Sequence, residues 1–353
     1  MLMKLLKGTG MVGRLRSAWR HELEQAMKPV RRDLQRISRD LEQLRLALDD
    51  TAARADLGDR ASSQLKLMLK LNQEQEAVVA SLPALLDEDR VLRHVRHAIA
   101  TAEMRSDPID YIVVERLLPD DVYELLLQAI PPAIFFSDED PIKQNMTLPV
   151  VFAPALTMRV WNFMDEVVSG KGILPATLEK FHEPLQDHYD AIFGPEARER
   201  ANQLPRRSSG GRLMLRRPGY HLAPHRDPKR SMVTCLMYLA RPGDSEAHGT
   251  QIFRVPGEAE ANCKQTYYPE ANGQRCELAA TVPFRPNTML AFLNSRGAHG
   301  ATIPHDAPSD LERYSYQFYV APEQEALHNL LRDLPKSRRT MWQNKNRVTQ
   351  AQG

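Results

Sequence analysis

The stretch Pro224-His225-Arg226-Asp227 places an imidazole and a carboxylate two positions apart in the chain. On an extended strand, residues i and i+2 point to the same face, so one strand end can present both side chains to a single metal ion. The imidazole of His299, much further along the chain, would complete a set of two histidines and one carboxylate. Because the chain has eleven histidines, a surface turn is the alternative interpretation of the pair.

Segments with strand character surround this stretch on both sides. They are short, rich in β-branched and apolar residues, and separated by turns that contain Pro or Gly. The predicted strands cover residues 211–220, 232–240, 249–255, 288–293 and 313–320. His299 follows the fourth of these strands, so all three candidate ligands are predicted at strand ends.

The last predicted strand has one polar and one apolar face, because its polar residues occupy every second position. The polar face comprises Arg313, Ser315, Gln317 and Tyr319. Such a face meets water in an ordinary sandwich, but in a ligand-holding barrel it lines the cavity. There the guanidinium of Arg313 can hold a carboxylate through two parallel hydrogen bonds. The alternative is a surface ion pair of Arg313 with Glu312 or Asp310.

This order of strands and ligands resembles the double-stranded β-helix, a cupin-like jelly roll, of the Fe(II)/2-oxoglutarate-dependent dioxygenases. The branch that it resembles most includes the prolyl 4-hydroxylases, over residues 205–322 and more loosely back to 108. The resemblance implies that His225, Asp227 and His299 bind Fe(II). It also implies that Arg313 binds the distal carboxylate of 2-oxoglutarate, with Ser315 as a further donor.

The resemblance also implies an activity and a fold. The expected reaction is hydroxylation of a C–H bond with O2, with decarboxylation of 2-oxoglutarate to succinate and with ascorbate as a candidate reductant. The expected fold is α+β, with helices buttressing the β-helix. Many relatives carry a Tyr nine residues before the first ligand, where this chain has Arg216, and the nearest Tyr is Tyr220. The alternatives are a cupin-like metal-binding protein and a scaffold with a silent barrel, neither turning over 2-oxoglutarate.

The sequence does not identify the substrate, which is either a small molecule or a protein side chain. Cations near the ligand strand indicate an anionic substrate, although a solvated surface explains them equally well. These cations are Arg212, Arg216, Arg217, Lys229 and Arg230. The formal net charge of +2 gives no indication of a nucleic-acid partner.

The N-terminal region, residues 1–107, has a different pattern from the rest of the chain. Apolar residues recur at steps of four and three over residues 23–57, which predicts a coiled-coil-like seam. Its partner would be a second copy of the chain, another helical protein, or the next helix folded back as a hairpin. The cationic residues 1–20 either fray in solvent or contact a membrane surface.

Further expectations concern domains and location. We expect a dioxygenase domain at 108–322, followed by a short helix and a basic tail at 323–353. No apolar run has the length of a membrane span. The chain has three cysteines, too few for a disulfide framework, so a reducing cytoplasm is the expected location.

Overall fold

The computed structural model describes residues 38, 42, 45, 58–137, 140–257 and 262–343. The chain divides into two units, residues 1–65 and residues 66–353. Apart from three isolated positions, the predicted seam at 23–57 lies outside the described residues, as do residues 1–20 and 344–353.

The described residues form eleven strands in two antiparallel sheets. The strands are β1 (Met104–Arg105), β2 (Tyr111–Val114), β3 (Lys143–Thr147), β4 (Arg206–Arg216), β5 (His221–His225), β6 (Val233–Tyr238), β7 (Thr250–Arg254), β8 (Glu277–Val282), β9 (Thr288–Leu293), β10 (Ala298–Thr302) and β11 (Arg313–Pro322). The larger sheet has the order β1-β2-β9-β6-β11-β4-β3, and the smaller has the order β5-β10-β7-β8.

The eight strands from β4 to β11 pair as a nested series. The first pairs with the last, the second with the seventh, the third with the sixth and the fourth with the fifth. The chain changes sheet at every connection except the one between β7 and β8. This nesting of two sheets is the topology of a jelly roll.

Helices occur before and after these eight strands. They are α1 (Glu76–Leu85), α2 (Glu88–Thr101), α3 (Asp120–Gln128), α4 (Ala155–Phe163), a π-helix (Met164–Ile173), α5 (Leu174–Lys180), α6 (His182–Phe193), α7 (Arg198–Asn202), α8 (Gln324–Asp333) and α9 (Lys336–Arg339). The side chain of Asp87 caps α2 by accepting a hydrogen bond from the backbone N–H of Arg90. Asp120 and Asp121 occupy the first turn of α3, where the helix dipole favours acids.

The larger sheet buries both of its faces, and the two faces have different neighbours. On β6, Val233, Cys235 and Met237 join the hydrophobic core that the helices share. Leu236 and Tyr238, at the intervening positions, pack toward the smaller sheet. Because alternate residues of a strand point to opposite faces, the all-apolar appearance of this strand follows from burial on both sides.

The compact unit that contains the sheets begins earlier in the chain than the sequence boundary at 107/108. Leu82 of α1 and Val91, Val95 and Ile99 of α2 are buried in the same core as the sheet. Residues 66–107 therefore belong with the sheets, and the division lies between residues 65 and 66.

Two compositional expectations can be compared with the described residues. No described helix is long and apolar enough to cross a membrane. Cys235 is a buried thiol in β6.

Candidate metal centre

The three predicted ligands meet between two neighbouring strands of the smaller sheet. His225 is the last residue of β5, and Asp227 lies two residues beyond it. His299 is the second residue of β10, the strand that follows β9, and pairs directly opposite His225. Antiparallel pairing of β5 and β10 thus brings together residues that are distant in sequence.

The ligand atoms of this group converge on one point. Nε2 of His225 lies 3.7 Å from Oδ1 of Asp227, and Nε2 of His299 lies 3.8 Å from Oδ2. One ligand atom from each of the three residues lies within 4.8 Å of the other two, and all three residues are buried. Two imidazoles and one carboxylate at this spacing are the donor set of a facial metal site with open positions.

Neighbouring groups fix the orientation of two of these side chains. Nδ1–H of His225 donates to the carbonyl of Ala223 at 3.0 Å, which leaves the Nε2 lone pair for a metal. The hydroxyl of Thr234 donates to Oδ2 of Asp227 at 2.8 Å, and Asn294 donates in turn to that hydroxyl. Sequence reasoning did not find Thr234 or Asn294, because the contacts from Asn294 to Thr234 and from Thr234 to Asp227 depend on how the chain folds.

The electrostatics of the site keep Asp227 and His299 free of protons. Burial opposes ionisation of Asp227, but the neighbouring imidazoles and the Thr234 hydroxyl hold the pKa of its carboxyl well below its usual range. Burial, assisted by the nearby His225, lowers the pKa of His299 to about 3. Because a metal competes with protons for these atoms, their unprotonated state favours metal binding at neutral pH.

The metal site opens into a cavity of about 280 Å³ between the two sheets. The polar face of β11 forms part of its wall through Arg313, Gln317 and Tyr319. The face is therefore turned toward a cavity and away from bulk water, as the barrel interpretation of this strand predicts.

Tyr319 of β11 pairs opposite Thr234, which contacts Asp227, and the buried Arg313 lies six residues away from Tyr319 along the same strand. Nε of Arg313 donates to the carbonyl of His248 at 2.5 Å, and its guanidinium carbon lies 4.7 Å from the ring centre of Phe284. Its buried Nη2 has no hydrogen-bond partner among the described residues. Arg313 is buried and forms no ion pair with Glu312 among the described residues, whereas Glu312 pairs with Arg217 at 2.7 Å.

Ser315 and Arg216 are the other predicted or alternative residues near Arg313. Ser315 is fully buried on the same strand, and its hydroxyl has no partner among the described residues. Arg216 pairs opposite Arg313 across β4 and β11 and lines the cavity. Its Nη1 donates to the Gln144 carbonyl and its Nη2 to the Asn145 side chain, so neutral acceptors hold it in place.

The other histidines that the structure describes lie outside the ligand cluster. His188 is buried in α6 and donates to the Lys229 carbonyl, which is a structural role. His221 is hydrogen-bonded to Thr302 at the start of β5. His248 contributes its backbone carbonyl to Arg313, a role that its position in a polar loop did not indicate.

Comparisons with known proteins give loose similarities of fold. No protein-family model matches the chain, and no match was found among curated proteins. Solved structures similar to it include HygX from Streptomyces hygroscopicus with nickel and 2-oxoglutarate bound (15% identity, 62% of this chain and 85% of that one, TM-score 0.36). Others are a Pseudomonas putida prolyl-4-hydroxylase (15%, 65% and 98%, 0.34) and prolyl 4-hydroxylases from Phytophthora capsici (15%, 72% and 75%, 0.38).

Proposed function

We propose that the protein is an Fe(II)- and 2-oxoglutarate-dependent dioxygenase that hydroxylates a C–H bond and forms succinate. The observation that carries this proposal is one cavity with two complementary ends. His225, Asp227 and His299 converge at one end, and a buried guanidinium with an unused N–H faces the other.

The donor set fits Fe(II). Two neutral imidazoles and one carboxylate suit a divalent first-row metal and leave positions for a chelating cosubstrate and for oxygen. The hydrogen bond from Thr234 orients Asp227, and the contact with the Ala223 carbonyl selects the tautomer of His225. Outer contacts of this kind hold ligands at the geometry that a metal requires.

The opposite end fits the distal carboxylate of 2-oxoglutarate. Arg313 is held by His248 and by the rings of Tyr238 and Phe284, while its Nη2 lacks a partner. A buried cationic donor without a partner is costly, and a carboxylate would satisfy it through a charge-assisted hydrogen bond. The hydroxyl of Ser315, also buried without a partner, would offer a second donor.

When bound, iron and 2-oxoglutarate supply the activation of O2, with loss of CO2 from the cosubstrate. The chain would bind both, orient the C–H bond and exclude water. Phe292 and Tyr268 line the cavity, and their rings lie 4.5 Å from that of His299 and 5.7 Å from that of His225. Such an apolar rim limits side reactions with water.

Formation of succinate tests this proposal directly. Purified protein with Fe(II), ascorbate and 2-oxoglutarate should release succinate slowly in air even without its substrate. Omission of iron or oxygen should abolish the product, and Asp227→Ala should behave like the iron-free sample. If succinate does not form under any of these conditions while iron binds normally, the chain is the cupin-like metal protein of the alternative.

The cysteine content and the heptad pattern of the N-terminal region support two further parts of the proposal. The chain has three cysteines, too few for a disulfide framework, which suits a reducing cytoplasm. Self-association or binding of a helical partner through residues 23–57 remains a proposal that rests on the heptad pattern.

A further inference from the structure

We propose that the substrate of this site is an organic oxyanion, a carboxylate or a phosphate, and that Arg212 binds its anionic group. This inference rests on the proposed function, since it assigns Arg313 to the cosubstrate. It concerns a second cationic position in the same cavity, closer to the metal ligands.

The charges that line the cavity are strongly unbalanced. Four cations, Lys143, Arg212, Arg216 and Arg313, line it together with a single carboxylate, that of Asp227. The two positive charges of Fe(II) and the two negative charges of 2-oxoglutarate cancel, so binding both leaves this excess unchanged. Lys143 is exposed, and water screens its charge. The uncompensated charge that remains within the cavity is therefore that of the guanidiniums.

Arg212 is held by neutral acceptors alone. Its Nη2 donates to Oε1 of Gln317 at 2.9 Å and to the hydroxyl of Tyr319 at 3.2 Å. Its guanidinium carbon lies 6.0 Å from the ring centre of Tyr319. Its buried Nε has no partner, and within the described parts of the chain it forms no ion pair. A fixed guanidinium without a counter-anion is suited to bind a carboxylate or phosphate.

The strand register separates Arg212 from the proposed cosubstrate position. Arg212 pairs opposite Gln317, whereas Arg216 pairs opposite Arg313, four residues away along β11. At the rise of an extended strand, this separation is about 13 Å. Arg212 and Arg313 therefore belong to different rows of the cavity wall, where a row is a pair of residues that lie opposite each other on β4 and β11.

The row that contains Arg212 is adjacent to the metal ligands. Tyr319, which accepts from Arg212, pairs opposite Thr234, whose hydroxyl donates to Asp227. An anion bound at Arg212 would thus hold the rest of the substrate beside the reacting centre. The neighbouring Phe292 and Tyr268 favour an apolar body on that substrate.

Binding to a redox-inert form tests the inference without turnover. Protein loaded with Zn(II) and saturated with 2-oxoglutarate is titrated by calorimetry with benzoate, phenyl phosphate and the neutral benzamide. We expect benzoate or phenyl phosphate to bind at least about tenfold more tightly than benzamide. The ratio of the dissociation constants of benzoate and phenyl phosphate shows whether the site prefers a carboxylate or a phosphate. Arg212→Gln should weaken the preferred anion by at least about tenfold, and Arg212→Lys by less.

The controls separate this inference from the proposed function. Arg207→Gln removes an exposed cation from the same strand and should leave every affinity unchanged. Equal binding of benzamide and both anions, no binding of either anion, or unchanged anion binding in Arg212→Gln would overturn the inference. It is also overturned if Arg212→Gln weakens 2-oxoglutarate itself, because Arg212 then belongs to the cosubstrate site. Failure of the wild type to bind 2-oxoglutarate would instead contradict the proposed function.

Discussion

At the scale of single residues, the sequence identifies the candidate metal ligands but not the residues that orient them. The His-x-Asp spacing identifies His225 and Asp227, since two alternate positions on an extended segment share a face. Thr234 and Asn294, which orient the carboxylate, have no such local signal. Their contact depends on the pairing of β6 with β9, which the linear sequence does not specify.

Replacing Asp227 with Ala should weaken Fe(II) binding by about 100-fold or more, because the change removes the only anionic ligand. Succinate formation should be lost with it. Metal titration by calorimetry measures the first effect. Asp306→Ala, which removes an exposed carboxylate from a loop, is the control and should bind iron normally. Wild-type iron affinity in Asp227→Ala would show that this group is not the metal site.

Replacing Arg313 with Leu should weaken 2-oxoglutarate binding by well over tenfold. Loss of a partner from a buried charge pair costs about 2–5 kcal/mol, and about 1.4 kcal/mol corresponds to tenfold. Fe(II) affinity without cosubstrate should stay unchanged, and Arg313→Lys should keep part of the affinity. The exposed Arg285→Leu is the control. Normal cosubstrate binding in Arg313→Leu would move the basic residue elsewhere, with Arg216 the next candidate.

At the scale of elements, the strands with strong alternation or an apolar run could be predicted, and those that depend on pairing could not. The predicted strand at residues 288–293 coincides with β9. The polar face of β11 lines the cavity, as expected for a ligand-holding barrel. β5 contains Pro224 and follows a Pro-Gly turn, so its sequence indicates a turn more than a strand. Pairing with β10 overrides that local preference.

A close backbone approach between β7 and β8 supplies a test at this scale. A Cβ atom at Gly249 would lie 1.8 Å from the carbonyl oxygen of Val282, so Gly249→Ala should destabilise the fold by about 1–3 kcal/mol. It should also weaken 2-oxoglutarate binding, because the adjacent His248 carbonyl holds Arg313. Urea unfolding measures the first effect. Gly170→Ala, where a Cβ meets only ordinary contacts, is the control, and equal stability of the two variants would contradict this packing.

At the scale of the whole molecule, helices cover the outer face of the larger sheet, and the metal centre lies toward the smaller sheet. The helical layer buries His188, which donates to the Lys229 carbonyl just after the ligand segment. Residues 1–65 form a separate unit, and the heptad pattern within it has no described partner. The amphipathic pattern of α2 does not indicate which core its apolar face joins, and in the structure that face packs in the core shared with the larger sheet.

Buried His188 should make stability depend on pH. Burial lowers its pKa from 6.5 to about 4, against the hydrogen bond to the Lys229 carbonyl. The unfolded chain therefore binds a proton first, and stability that is complete above pH 6.5 is lost as the pH falls toward 4. The contribution is up to about 3 kcal/mol. His188→Gln should flatten the pH dependence of unfolding in this window, whereas the exposed His182→Gln on the same helix should not. If the free energy of unfolding depends on pH in the same way in both variants, His188 is not the source of the pH dependence.

Self-association through residues 23–57 predicts a difference in mass between two chains. The full-length protein should form a dimer or larger assembly, and a chain that starts at Lys66 should be monomeric, because the narrow apolar seam requires a facing helix. Light scattering measures both. A start at residue 66 is preferable to one near 105, since the latter removes core residues of α2. Identical monomeric masses would refute self-association and leave the intramolecular hairpin.

The most direct test of the central claim is an anaerobic titration of the protein with Fe(II) and then 2-oxoglutarate, followed by visible absorption. We expect a metal-to-ligand charge-transfer band that saturates at one iron and one 2-oxoglutarate per chain. The band should be absent in Asp227→Ala, and in Arg313→Leu it should require much more 2-oxoglutarate. If the wild-type protein binds Fe(II) at this site but develops no band with 2-oxoglutarate, the cavity does not hold the cosubstrate on the metal, and the proposed function is wrong.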